Sequence, residues 1–299
     1  MKKAILEYIA TNADNKKTVE RVLKREFGIS SKLMIFLKLN GKITINGNIS
    51  RSVDTLKAGD KLVADVSENI VSAGILPAEI ELDILYEDEY LMVVNKTGGI
   101  EVHPSMGDNL GTLANAVINH WQKNGECHNY HIVNRLDKNT SGLCVIAKNR
   151  YAHASLSEQI KSKTFKRRYI AIVHGLFNKK TGTIEKPIKR ASESIIKRIV
   201  AEDGKYAKTN YSVKMSKNNE ISVLEIELET GRTHQIRVHF SSIGHPLIGD
   251  WLYGTENEKK YQVNRHALHA AYISFNHPKT RERMTFEVPL PEDLRGIVE

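Results

Sequence analysis

The chain has 299 residues, 40% hydrophobic and 26% charged, with 7 Pro and 19 Gly, an ordinary globular composition with room for two domains. Lys and Arg total 44 against 35 Asp and Glu, a net charge of +9, and such a balance favours a polyanionic partner. Two cysteines, Cys127 and Cys144, supply neither a disulfide framework nor a tetrahedral zinc cage, and no apolar run approaches the roughly 18 residues of a spanning helix.

Met1-Lys2-Lys3 and Ala4-Ile5-Leu6 lack the apolar core of a signal peptide, so a cytoplasmic location is expected. From Lys17 to Phe27, Val19, Val22, Leu23 and Phe27 share one helical face, and Glu20, Arg21, Lys24 and Arg25 the other. Gly28 closes that helix, and Ser30 or Ser31 can cap a second one carrying Leu33, Met34, Phe36 and Leu37. Lys42-Ile43-Thr44-Ile45 alternates into Asn46-Gly47, the strongest short hairpin signal. A turn at Ala58-Gly59-Asp60 precedes a strand from Lys61 to Val66. Two short helices feeding a small sheet predict a compact unit over 1–68. Polar residues without a period then read as a linker over 69–78.

The remainder, 79–299, is expected to form the second domain. Strands are predicted from Ile80 to Tyr86 and Tyr90 to Lys96, and a helix from Thr112 to Trp121. A second helix is predicted from Ala152 to Lys161, and a strand within Lys163 to His174. Val200 to Lys205, with Asp203-Gly204 at its tip, reads as an exposed hairpin finger in a basic region. Alternating strands follow from Thr209 to Lys214 and Ile221 to Glu229, then another from Tyr272 to Phe275. Strands separated by short turns, with helices interposed singly, predict an α+β fold. Its sheet is expected to be mixed and largely antiparallel, with flanking helices.

Two stretches carry the chemistry. From His131 to Asn149, two β-rich runs surround a polar loop closed by Gly142, which puts Asp137 at a strand end. Loops on rigid strands are a favoured place for catalytic groups; an Asp that merely bonds loop N–H groups is the plain alternative. Gly231-Arg232-Thr233-His234-Gln235-Ile236-Arg237-Val238-His239 interleaves side chains able to bind phosphate or base edges with Ile and Val. As a strand it would send Gln235 and Arg237 to one face, Ile236 and Val238 to the other. A polar strand face held by surface ion pairs is the plain alternative. His266-x-x-His269 has a spacing that suits one side of a helix. No H-E-x-x-H or paired-cysteine signature accompanies it, and no metal is expected.

Taken in order, N-R-L-D-K-N-T-S-G-L, then R-R-Y-I-A-I-V-H-G, then G-R-T-H-Q-I-R-V-H with G-H-P-L-I-G-D and Y-G, then R-H-A-L-H-A with F-N-H-P resemble the motifs of the RluA-type pseudouridine synthases. The resemblance covers nearly all of the chain from Glu79 to Pro291. The first unit, through its helix–helix–K-I-T-I-N-G–L-K-A-G-D-K-L order, resembles the αL-type RNA-binding domain shared with a ribosomal small-subunit protein.

The resemblance implies an isomerase acting on specific uridines in structured RNA, ribosomal large-subunit RNA ahead of tRNA. Such enzymes break the N-glycosidic bond, turn the uracil in the pocket and rejoin it through C5, with no metal or organic cofactor. Asp137 falls on the family's catalytic aspartate, which engages the uridine covalently or electrostatically. Tyr169 matches the tyrosine that stacks on the target base and helps remove the C5 proton. Arg237 matches the arginine paired with the catalytic carboxylate, and Arg135 the arginine that helps flip the nucleotide from its stack. Asn134, Arg232, His234 and Gln235, in the same motifs, complete the expected RNA-binding set. Asn134 stands where the family most often has His, and it cannot titrate. Thr97-Gly98 stands where Pro-Ala is common, and Arg168 replaces the usual Lys. A non-catalytic RNA-binding or ribosome-assembly factor would need the same basic surface, but not the whole set of Asp, Tyr and two Arg. RNA is the expected partner, no membrane is, and a monomer is the default.

Overall fold

In the computed structural model, which describes residues 3–68, 74–104, 110–254, 261 and 263–299, the first unit follows its local signals. Strand β1 (Ile5–Ile9) leads to α1 (Val19–Phe27), α2 (Ser31–Leu39), β2 (Ile43–Ile45), β3 (Asn48–Ile49) and β4 (Lys61–Asp65). Thr18 caps α1 by accepting the Arg21 N–H, and Ser30 caps α2 through the Leu33 N–H. Asn46 and Gly47 both take positive φ, 51° and 84°, as a type I′ hairpin turn requires. The sheet runs β1-β4-β2-β3; its first strand is one that no turn signal in the sequence announces.

Leu6, Val22, Leu23, Leu37, Ile43 and Leu62 form the core of this unit, and the same apolar cluster continues into Tyr90, Ala147, Tyr151 and Ala152. The unit is therefore seated on the second one, not tethered beside it. The Tyr90 hydroxyl donates to the Ile5 carbonyl at 2.7 Å. The buried carboxylate of Glu68 meets Arg150 at 3.1 Å and accepts from the Asn129 amide at 2.6 Å. Of the expected linker, 69–73 lie outside the described residues, and Ile75 is buried in the main core.

The second unit comprises β5 (Asp83–Glu87), β6 (Leu91–Lys96), α3 (Leu113–Lys123), β7 (His131–Ile132), β8 (Ser141–Ala147), α4 (Arg150–Lys161), β9 (Lys166–His174) and β10 (Thr181–Glu185). There follow β11 (Ile188–Arg190), β12 (Arg198–Val200), β13 (Lys208–Lys217), β14 (Ile221–Leu228), α5 (Gln235–Ser241), β15 (Leu268–Asn276), β16 (Arg283–Glu287) and α6 (Glu292–Val298). One sheet runs β10-β13-β14-β9-β15-β8-β6-β5, with β16 added on β15 and β7 on β8. Strands β15 and β8 pair in parallel, and their neighbours pair antiparallel. The sheet is mixed and largely antiparallel, with helices flanking it.

Strand β8 is buried along its whole length, which is why it reads as an unbroken apolar run. Cys144 and Ile146 face a core shared with Val117 and Trp121 of α3 and Ile236 and Phe240 of α5. Leu143 and Val145 face the opposite core, with Leu156 of α4. The first of these faces carries the cleft described below.

Two expectations are corrected. Residues 231–239 are not a strand: Gln235 to Ser241 form α5, and every residue from Gln235 to Phe240 is buried. Polar–apolar alternation signals a strand only when its polar members face water; here Gln235, Arg237 and His239 find partners inside. The basic hairpin also has a different tip. Strand β11 pairs with β12 around 191–197, while Asp203-Gly204 turns the chain back so that Lys205 bridges Ile188. An Asp-Gly pair marks a turn without saying which strands it joins.

Candidate active site

The loop before β8 is fixed residue by residue. Asn134 is buried; its amide donates to the Leu143 carbonyl at 2.9 Å and accepts the Val145 N–H at 2.8 Å. The Thr140 N–H donates to the Asp137 carbonyl at 3.0 Å and closes the turn. The Lys96 ammonium donates to the Lys138 carbonyl at 3.0 Å, and Arg265 donates to the Asn139 carbonyl at 3.0 Å. Thr140 pairs with His266 at 2.8 Å and Ser141 with His269 at 2.9 Å. Gly142, at φ 111°, lies so close to the Ala270 backbone that any Cβ would collide with it. The Asp137 carboxylate is left at the cleft, 26% exposed.

Two groups come to that carboxylate from α5 and its approach, Arg237 and His234. Arg237 is buried, and its fork meets Asp250 through Nε at 2.7 Å and Nη2 at 2.8 Å. Its remaining nitrogen, Nη1, lies 3.4 Å from Oδ2 of Asp137. Burial opposes the charge on Arg237, but the bonds to Asp250 outweigh it and raise its pKa. Burial likewise opposes the charge on Asp250, and the Arg237 bonds and charge hold its pKa below the ordinary value. His234, in the left-handed region at φ 58°, places Nε2 3.9 Å from Oδ2 of Asp137 and Nδ1 2.9 Å from the Tyr253 hydroxyl. Burial lowers the His234 pKa. Tyr169 sits on β9 opposite Ile226 of β14, and burial raises its phenol pKa.

All eight residues singled out in the sequence, Asp137, Tyr169, Arg237, Arg135, Asn134, Arg232, His234 and Gln235, line one cleft of about 590 Å³. That volume is within the range of small-ligand sites. Arg135 and Arg232 are exposed, and with Lys138 and Arg167 they make the mouth basic. Two of the eight turn their polar atoms inward. The Asn134 amide is engaged by β8, and Gln235 accepts from Thr230 at 2.8 Å and Arg232 at 3.0 Å while donating to the Lys208 carbonyl at 3.0 Å. Their amides brace the walls, Arg237 and His234 turn a nitrogen toward Asp137, and Arg232 donates its Nε–H to the Tyr206 carbonyl at 2.9 Å. His266 and His269 stand at the entry to β15, not on a helix, and bond the loop instead of each other's ligand. Among the described residues no group of three His, Cys, Asp or Glu side chains is placed to hold a metal ion.

Asp250 and Tyr253 were not among the residues singled out. They lie in the G-D and Y-G portions of the motif, but nothing in their spacing from Arg237 and His234 reveals the contacts.

Residues 90–242 match the sequence profile described as RNA pseudouridylate synthase, and residues 6–62 that of the RluD ribosomal pseudouridine synthase N-terminal domain. The chain is 43% identical to YjbO of Bacillus subtilis, described as an uncharacterized RNA pseudouridine synthase, over 91% of this chain and 95% of that one. It is 39% identical to ribosomal large subunit pseudouridine synthase D of Pseudomonas aeruginosa, over 87% and 83% of the two. Among solved structures it resembles human RNA Pseudouridylate Synthase Domain Containing 1, with TM-score 0.58 and 26% identity over 70% of this chain and 83% of that one. Among the described residues no helix is long and apolar enough to cross a membrane. The chain belongs to the RNA pseudouridylate synthase family, isomerases that convert uridine in RNA to pseudouridine.

Proposed function

We propose that this enzyme isomerises uridines of ribosomal large-subunit RNA, with Asp137 as the group that engages the extruded nucleotide. The observation that carries the assignment is the convergence of Arg237 and His234 on the Asp137 carboxylate, in a cleft that Tyr169 also lines. Lifting a base from its stack costs a few kcal/mol. Arg135, exposed at the mouth, is the cation that takes up the vacated position, and the Tyr169 ring is the surface on which the uracil rests.

In that setting the bond between N1 and C1′ breaks, the uracil turns, and C5 bonds to C1′. C5 then loses its proton and N1 holds one, so the product is an isomer of the substrate. Asp137 meets the sugar as a nucleophile or as a counter-charge. The Tyr169 hydroxyl is the group that helps take the C5 proton. Arg232 holds the RNA strand at the rim.

The preference for large-subunit RNA is supported by the name of the Pseudomonas relative and by the match of residues 6–62 to a ribosomal pseudouridine synthase domain. On this reading residues 1–68 are an RNA-binding domain joined through 69–78 to a catalytic domain at 79–299, and the enzyme works as a cytoplasmic monomer. Mapping pseudouridines in RNA from cells lacking the protein tests the assignment. Loss of specific large-subunit sites is expected. Intact large-subunit sites with losses in tRNA would move the substrate to tRNA.

A further inference from the structure

Tyr253 touches both groups that flank Asp137. The Arg237 guanidinium lies 5.0 Å from the centre of its ring, and the His234 ring stands edge-on to it at 5.7 Å. Its hydroxyl oxygen accepts the backbone N–H of Arg198, at the start of β12, at 2.8 Å and lies 2.9 Å from Nδ1 of His234. A phenol has one proton to give. Its oxygen takes the Arg198 N–H, and Nδ1 of His234 is the acceptor within reach of its proton. A neutral imidazole that accepts at Nδ1 carries its own hydrogen on Nε2, and Nε2 is the nitrogen that faces Asp137.

We propose that Tyr253 is a positioning residue that selects the Nε2–H tautomer of His234, so that His234 and Arg237 converge as fixed donors on one oxygen of Asp137. Both approach Oδ2, at 3.9 Å and 3.4 Å, and Oδ1 is the oxygen left to the nucleotide. The inference rests on the reading of Asp137 as the residue that meets the uridine. Arg237 is within hydrogen-bond range of that oxygen, and His234 faces it from 3.9 Å. The left-handed backbone at His234 is uncommon for a residue other than glycine, and strain of that kind persists where surroundings over-determine it. The charged groups facing His234 are Asp137, Arg237, Arg198 and Asp250. Burial lowers the His234 pKa and raises that of Tyr253, which favours the neutral imidazole and the intact phenol that the arrangement needs.

Histidine labelled with ¹⁵N, observed by two-bond ¹⁵N–¹H correlation at neutral pH, reads the tautomer directly. The His234→Gln spectrum identifies the His234 signals by their loss. The wild type is expected to show a bare Nδ1 and a protonated Nε2. In Tyr253→Phe, which keeps the ring and removes the hydroxyl, the His234 signals should move toward a mixture of tautomers. In the same variant kcat should fall about tenfold, the effect of one ordinary hydrogen bond, while KM for an RNA fragment stays unchanged. A protonated Nδ1 in the wild type would overturn the proposal, as would a Tyr253→Phe protein with unaltered tautomer and kcat. Should that variant fail to fold, the wild-type spectrum decides. The spectrum is read without substrate: a wrong tautomer in an enzyme that makes pseudouridine sinks this inference alone, whereas the expected tautomer in a protein that makes none sinks the catalytic reading.

Discussion

Asp250 holds Arg237 through two nitrogens of its fork, at 2.7 Å and 2.8 Å, while Asp137 meets only the third, at 3.4 Å. The tight pair is buried and the loose one borders the cleft. Arg237 is thus a strut whose direction Asp250 sets, and Asp137 receives the end that remains. Asp250→Asn keeps the shape but leaves the buried guanidinium only its looser contact with Asp137, a loss on the order of 3 kcal/mol. Urea unfolding measures it; a change below about 1 kcal/mol would mean that the pair behaves like a surface contact.

Tyr169→Phe separates stacking from proton removal. The ring that receives the uracil stays, and the hydroxyl that acts at C5 goes. We expect kcat to fall about 100-fold, within the usual range for an acid–base group, with little change in KM. Tritium release from RNA labelled at uridine C5 follows the step, and release at the wild-type rate would remove the hydroxyl from the mechanism.

Stability should fall in mild acid because of the two histidines that hold the loop. Burial drives His266 down to about 3 and His269 to about 4 from an ordinary 6.5. Between those values and 6.5 the unfolded chain binds protons that the folded chain refuses, so unfolding free energy decreases as pH drops from 6.5 toward 4. Melting temperatures at about pH 7 and about pH 4.5 should show the drop. His266→Gln, which can still bond Thr140, should make it shallower. A wild-type melting temperature equal at both values would contradict the burial argument.

Removing residues 1–68 should weaken more than RNA binding. The truncation uncovers Tyr90, Ala147, Tyr151 and Ala152, takes away the Ile5 carbonyl that Tyr90 bonds, and leaves Arg150 without Glu68. A lower melting temperature is expected together with a lower affinity for RNA, both read on the truncated protein. Unchanged melting would mean that the shared core contributes nothing.

What the sequence discloses here is what is local. Ser30, Gly28 and Asn46-Gly47 act through bonds within a few residues of themselves, so these caps and the hairpin can be read directly. The apolar run of β8 shows a strand buried on both faces. Helix α5 is hidden for the opposite reason: its polar residues are buried, and a pattern rule that sorts polar to solvent misplaces them. Contacts across the fold, Arg237 with Asp250 and His234 with Tyr253, leave no periodic trace. The motifs collect the eight cleft residues, yet only side-chain geometry reveals that the Asn134 and Gln235 amides serve the protein itself.

The Asp137 carboxylate is the centre of the account, and Asp137→Asn tests it with the least disturbance. Asparagine keeps the shape, and the Arg237–Asp250 pair and the clamped loop do not depend on the charge. The purified variant should melt as the wild type does and bind RNA within about threefold, since many phosphate contacts carry the affinity. Nucleoside analysis of the incubated RNA should then detect no pseudouridine. Pseudouridine formed at the wild-type rate would contradict the assignment.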